Sequence, residues 1–189
     1  MKRPMMVLLA LMLTAVGATA AVAQDDAEVR KELEGQYRKL AEAHNRKDLK
    51  AIADLKTADF HAILPDGRVG DVQMMAQYTK QFIESNRPPF NIRNTIQKLT
   101  VSENHLIAVA EVFQEASRTR ELAGKVRKVD TSVIQRETWA KTLDGWKLKS
   151  VDNVRDQKRF VDGKRVDPTR PYDPNDPPYD PDDTGAKKQ

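Results

Sequence analysis

The sequence predicts an α+β fold: a curved, mainly antiparallel sheet with three helices from the N-terminal half packed on one face. Three observations predict it. Apolar residues recur at helical spacing in three stretches before Pro88. Beyond Pro89 the spacing changes to period two over long runs. Those runs are separated by compact turn signals, Ser102-Glu103-Asn104-His105 and Leu143-Asp144-Gly145. Helices followed by long hairpins place the helices on one face of a bent sheet.

The two ends differ in composition from the middle. Lys2 and Arg3 precede an apolar run over residues 5–21, and Ala21-Val22-Ala23 offers small side chains where a signal peptidase reads. Residues 1–23 are therefore expected to be a cleaved signal peptide, with Gln24 the new N-terminus and a periplasmic or secreted destination. A membrane-spanning helix needs about 20 apolar residues; this run is short, ends in small residues and has no equal elsewhere. No membrane attachment is expected after cleavage. Without Lys2 and Arg3 the 32 basic residues fall to 30 against 28 acidic ones, too weak a field for phosphate-dominated nucleic-acid binding. Cysteine is absent, which excludes thiol nucleophiles and thiolate zinc sites.

Residues 162–189 hold six of the ten prolines, many aspartates and almost no aliphatic residues after Val166. That composition predicts a disordered or extended tail. Within it Tyr172-Asp173-Pro174 recurs as Tyr179-Asp180-Pro181, readable as solvated chain, as an adhesive motif for a partner, or as a loose calcium site. Residues 24–161 remain as one domain of common size.

Each element follows from local pattern. Val29, Leu33, Tyr37, Leu40 and His44 form one stripe, giving a long helix over residues 26–46. Asp48 suits the N-cap of a short second helix carrying Leu49, Ile52 and Leu55. A third helix from Asp71 to about Asn86 aligns Val72, Met75, Tyr78, Phe82 and Ile83, and Pro88-Pro89 is expected to end it. Residues 59–64 alternate into the turn Pro65-Asp66-Gly67. Residues 92–101 form a second strand whose apolar phase slips between Ile96 and Leu99, the mark of a bulge. Strands over 106–116, 126–142 and 146–154 complete the sheet. Residues 106–113 are apolar on both faces, which calls for cover on both sides; helices supply one, and a second subunit packed on the sheet is expected to supply the other, although Arg136, Lys147 and Lys149 make part of that face polar.

This order of elements, with Asp48-Leu49 at the first junction, a strand leading to Pro65-Asp66-Gly67 and a close on Asp144-Gly145-Trp146-Lys147-Leu148, resembles the nuclear transport factor 2-like superfamily. It is most similar to the SnoaL-like and unknown-function bacterial branches, over residues 27–156. The resemblance implies a cone-shaped half-barrel, its strongly curved sheet wrapped around the three helices, often dimeric through the sheet, with a pocket between helices and strands. The superfamily includes ketosteroid isomerases, polyketide cyclases, dehydratases and non-enzymatic binding domains, so the fold does not assign an activity. Ungapped alignment at Asp48-Leu49 places the isomerases' catalytic tyrosine at Leu40 and their general-base aspartate at Leu64, both inert here; their proton-donating acid falls at Glu137.

Glu137 shares the apolar side of its strand with Val129, Thr131, Val133 and Trp139. A desolvated carboxylate there could move protons near neutral pH; an outward twist, or an ion pair with Arg118 or Arg127, is the plainer alternative. His61 has Asp59 on the same strand face, a pairing that can orient an imidazole, or else it is a half-buried histidine bonded to backbone. Asp152 follows Trp146, Leu148 and Ser150 and could reach a pocket mouth, or cap a terminal helical turn. Tyr37, Tyr78, Phe82, Phe113 and Trp139 sit on predicted core faces and could line an apolar pocket. No two histidines have ligand spacing, so no metal and no cofactor is expected. The expected function is binding of a small, largely apolar molecule. The alternatives are a cofactor-independent lyase or isomerase built on Glu137, and a protein-interaction module.

Overall fold

A computed structural model describes residues 17–181, with side chains from residue 26 onward. Most of the expected signal peptide and the last eight residues lie outside the described residues. The first helix, α1 (Gly17–Asn45), begins upstream of the start read from sequence and buries Val29, Leu33, Tyr37 and Ala43. No helix among the described residues is long and apolar enough to cross a membrane.

Two aspartates start the next helices as N-caps do, satisfying backbone donors that the helix itself leaves orphaned. Asp48 accepts from the Ala51 amide at 2.9 Å to open α2 (Leu49–Asp54). Asp71 accepts from the Met74 amide at 2.8 Å to open α3 (Val72–Ser85). Asn86, rather than the prolines, closes α3: its amide donates to the Phe82 carbonyl at 2.6 Å. Pro88 and Pro89, joined by a cis bond, sit inside a strand instead. That strand is at the sheet edge, where a missing N–H is tolerated.

The strands are β1 (Lys56–Ile63), β2 (Val69–Gly70), β3 (Asn86–Val101), β4 (Ile107–Leu122), β5 (Lys125–Thr142), β6 (Gly145–Val161) and β7 (Lys164–Val166). They lie in the order β2-β1-β6-β5-β4-β3, with β7 also paired to β6. β1 runs parallel to β6 and every other pairing is antiparallel. The slip read between Ile96 and Leu99 is a register shift between Ile96 and Lys98.

β6 carries three bulges against β5. Between Trp139 and Thr138, between Arg136 and Ile134, and between Ile134 and Ser132, β6 spends one residue more than β5. Asn153 and Asp156, at two of these bulges, have φ of 48° and 53°. Each bulge bends the strand and adds twist, so the sheet curls into the open half-barrel. The fold is α+β, three helices against a large curled mixed sheet.

The concave face holds the main core. Ala108, Ala110 and Val112 of β4 are fully buried beside Trp139, and α1 lays Val29, Leu33 and Tyr37 against them. Burying each large apolar side chain contributes roughly 1.5–3 kcal/mol. Beyond the helices' reach, a second cluster of Val129, Val161 and Val166 is covered by Tyr172.

That cover corrects the tail and the domain boundary at residue 161. Asp162-Gly163, both at positive φ, forms the two-residue turn that folds β7 back on β6. Tyr172 lies under the Arg127 guanidinium at 5.4 Å and Tyr179 under that of Arg165 at 5.7 Å. Arg159 binds the carbonyls of Asp167 and Arg170, and Lys164 that of Asp176. The repeated tyrosine is thus adhesive toward its own sheet.

Candidate functional site

Glu137 lies on the concave side of β5, as its strand phase predicts, and is 3 % exposed. The Tyr37 hydroxyl donates to its Oε2 at 2.6 Å, the Trp139 indole to the same oxygen at 3.0 Å, and the Gln135 amide to Oε1 at 2.7 Å. Neither alternative ion pair forms. Arg118 donates to Asn86 and Thr131 and stacks over Phe82, burial pushing its pKa down to about 10; Arg127 pairs with Asp162. Burial raises the Glu137 carboxyl above its ordinary value, while the three donors pull the other way. The Tyr37 phenol is held far above its usual range by burial and by Glu137, so it remains a donor. Tyr37 and Trp139 also meet edge to face at 5.4 Å. These rings pack against the carboxylate where a pocket around Glu137 was expected.

The other two candidate proton carriers are held by separate partners. In β1 it is Phe60 and Ala62 that are buried, so Asp59 and His61 face the other way. Asp59 gives its carboxylate to Lys149 at 2.5 Å, and His61 reaches only the Asp59 carbonyl, at 3.4 Å. Asp152 pairs with Arg136 at 2.5 Å across the convex face. The bulge after Leu148 shifts the phase, so Val151 joins the core and Asp152 leaves the side of Trp146 and Leu148. No helical turn follows it, because β6 continues to Val161.

The five proposed ligand contacts divide similarly. Tyr37 and Trp139 are core. Phe82 packs on His44 and Phe90. Tyr78 is 38 % exposed. Phe113 alternates out of phase with Ala108, Ala110 and Val112 and lies half-buried on the convex face opposite Ile134.

Space occurs elsewhere. A cavity of about 280 Å³ lies between α2, the start of β1 and α3, walled by Leu49, Ile52, Ala53, Val72 and Ala76, with Lys56, Thr57, Gln77, Thr79 and Lys80 completing the lining. Leu49 and Val72, 40 % and 39 % exposed, mark it as apolar on its open side. None of the five aromatic candidates and none of the three proton-carrier candidates lines it. Lys56 is its unusual group. The ammonium lies 4.8 Å from the centroid of Phe60, burial lowers its pKa, and no carboxylate is ion-paired to it among the described residues. Sequence reading passed over Lys56 because a single lysine at a strand start has no pattern; only the fold sets it beside a hollow.

Two other depressions are different in kind. A groove of about 340 Å³ on the convex face is shallower and carries polar side chains, Asn91, Glu115, Ser117, Asp130 and Ser132, beside Phe160. A notch of about 260 Å³ beside α1 holds Glu32, which is already bonded to Lys141 and to the Trp146 indole at 2.6 Å each. Among the described residues no group of three or more His, Cys, Asp or Glu is placed to hold a metal.

Comparison with known proteins identifies the fold. No family model matches the chain, and no curated protein matches it. Solved structures do. A nuclear transport factor 2-like superfamily protein from Salmonella enterica superposes with a TM-score of 0.53 at 15% identity, over 68% of this chain and 91% of that one. A proposed dehydratase of the same family from Streptomyces avermitilis gives 0.51 at 16% identity, over 67% and 95%. A hexachlorocyclohexane dehydrochlorinase gives 0.55 at 6% identity, over 81% and 99%. The fold is that of the nuclear transport factor 2-like superfamily, as the order of elements implied.

Proposed function

We propose that this nuclear transport factor 2-like domain is a binding protein for a small, largely apolar molecule, held in the cavity between α2, β1 and α3. One observation carries the reading: the cavity is apolar-walled and open, and a desolvated lysine without an acidic partner stands at it. Buried charges are ordinarily paired, and a preformed apolar cleft with few polar groups is the usual form of a ligand site. The rival lyase or isomerase reading needs Glu137 to reach a substrate. Both its oxygens are occupied by Tyr37, Trp139 and Gln135, which favours binding over turnover.

Native mass spectrometry of protein purified from its own compartment tests the reading, with a retained small molecule as the expected result. Ala76→Trp, which fills the cavity, should abolish retention; undiminished retention in that variant would move the site elsewhere. Export is part of the proposal, motivated by the N-terminal pattern, and N-terminal sequencing should begin at Gln24. A homodimer through the convex face is proposed as well, motivated by half-buried Val109, Phe113 and Ile134 beside the Glu111–Arg155 pair. Light scattering should return twice the chain mass, and Phe113→Glu should return the monomer's.

A further inference from the structure

We infer that the molecule taken by this cavity is an amphipathic carboxylate, its chain against Ile52, Ala53 and Ala76 and its carboxylate paired with the Lys56 ammonium. The inference rests on the binding reading above and narrows it to a chemical class.

The surroundings of Lys56 carry it. Neighbouring cations are matched: Lys50 with Asp54 at 2.5 Å, Lys80 with Glu84 at 3.8 Å, and Lys149 with Asp59 at 2.5 Å. Lys56 has an aromatic face instead, which attracts the cation but neutralises no charge. An ammonium that has lost water and gained no anion is an unfilled interaction, and an incoming anion meets less competition from solvent there than at the surface. The walls choose among anions. Their accessible surface is mainly apolar carbon although Thr57, Gln77 and Thr79 belong to the lining, so a phosphate or sulfate ester, which needs several hydrogen bonds at once, would be poorly served. A single carboxylate needs one strong partner, and its hydrocarbon chain gains from the walls.

The charged groups around Lys56 set the pH response. His44 on α1 has its pKa lowered by burial and by the Lys56 charge, so it is uncharged where the lysine titrates, and Lys80 on α3 lines the same cavity. Desolvation already holds Lys56 below its ordinary 10.5. Preference for a carboxylate should therefore fall as pH rises through the lysine's pKa, while binding of a neutral analogue stays level.

The experiment is displacement of a neutral fluorescent probe, N-phenyl-1-naphthylamine, from the full chain by decanoate, decanol and methyl decanoate. Decanoate should displace it at a concentration lower by about tenfold than either neutral compound, the equivalent of roughly 1.4 kcal/mol. Lys56→Met should erase that preference and Lys56→Arg should keep it. Equal potency of decanoate and decanol in the native chain would overturn the carboxylate class while leaving the cavity reading in place, as would a preference that survives Lys56→Met. Failure of the probe to bind at all, with no difference in Ala76→Trp, would overturn the cavity reading and the inference with it.

Discussion

Glu137 is fully buried and Lys56 half-buried, so both ionisable groups have lost water, and they are treated in opposite ways. Three donors converge on Glu137, and two of them belong to aromatic rings that meet edge to face beside it. Lys56 has no ion-paired acid among the described residues; its ammonium lies 4.8 Å from the Phe60 centroid, and the residue belongs to the lining of a hollow. A buried acid whose bonding capacity is met inside the chain stabilises one packing arrangement; a half-buried charge left unmet beside open volume is where a ligand gains most. Desolvation alone marks both residues, so it does not separate site from scaffold. The partners do.

The comparison is broken most forcefully at Glu137. Glu137→Ala strands the Tyr37 hydroxyl, the Trp139 indole and the Gln135 amide in the core and should cost about 3–5 kcal/mol, read as a shift in urea midpoint. Against a typical total of about 5–15 kcal/mol this is severe; a loss below about 1 kcal/mol would sink the scaffold role. The pH dependence has a definite sign. The folded carboxyl titrates above its ordinary 4.5, so it holds its proton more tightly folded than unfolded. Its contribution is full below that ordinary value and is lost as pH rises through the folded pKa. Relative to Glu137→Gln, the native chain should lose stability along that rise.

Next in size is the tail. Tyr172→Ala uncovers Val129, Val161 and Val166 and removes the ring beneath Arg127, a loss of about 1–3 kcal/mol. Limited proteolysis should then cut after residue 166 faster than in the native chain, and equal cutting would show that the tail's contacts hold nothing. Smallest is Lys56→Met, which should stabilise the ligand-free chain on the order of 1 kcal/mol by removing an uncompensated charge while keeping an apolar stem. A destabilisation of that size would mean Lys56 already has its partner, and the contrast with Glu137 would dissolve.

Much of the fold was legible because it is written in local chemistry. Asp48 and Asp71 announce helix starts through a side-chain acceptor that needs only the next turn. The slip at Ile96 is a break in period two, visible without coordinates. Glu137 was legible too, since its neighbours at two-residue spacing are apolar. Asp152 was misplaced because an extra residue in β6 opposite Trp139 and Thr138 reverses the faces, and the sequence there keeps its alternation. The short β7 had a signal, Asp162-Gly163 between Val161 and Lys164, but the proline-rich composition that follows outweighed it.

The sequence by itself determined the helices, the hairpin run, the absence of thiol chemistry and the inward direction of Glu137, since each depends on residues close along the chain. Only the tertiary structure decided that Tyr37, one hundred residues away, would bond that carboxylate, that tyrosines in a polar tail would cover the sheet's far end, and that the open volume would lie beside Lys56. Those outcomes depend on which surfaces meet when a bulged sheet curls around α1, and spacing along the chain carries no record of how closely two distant surfaces fill the space between them.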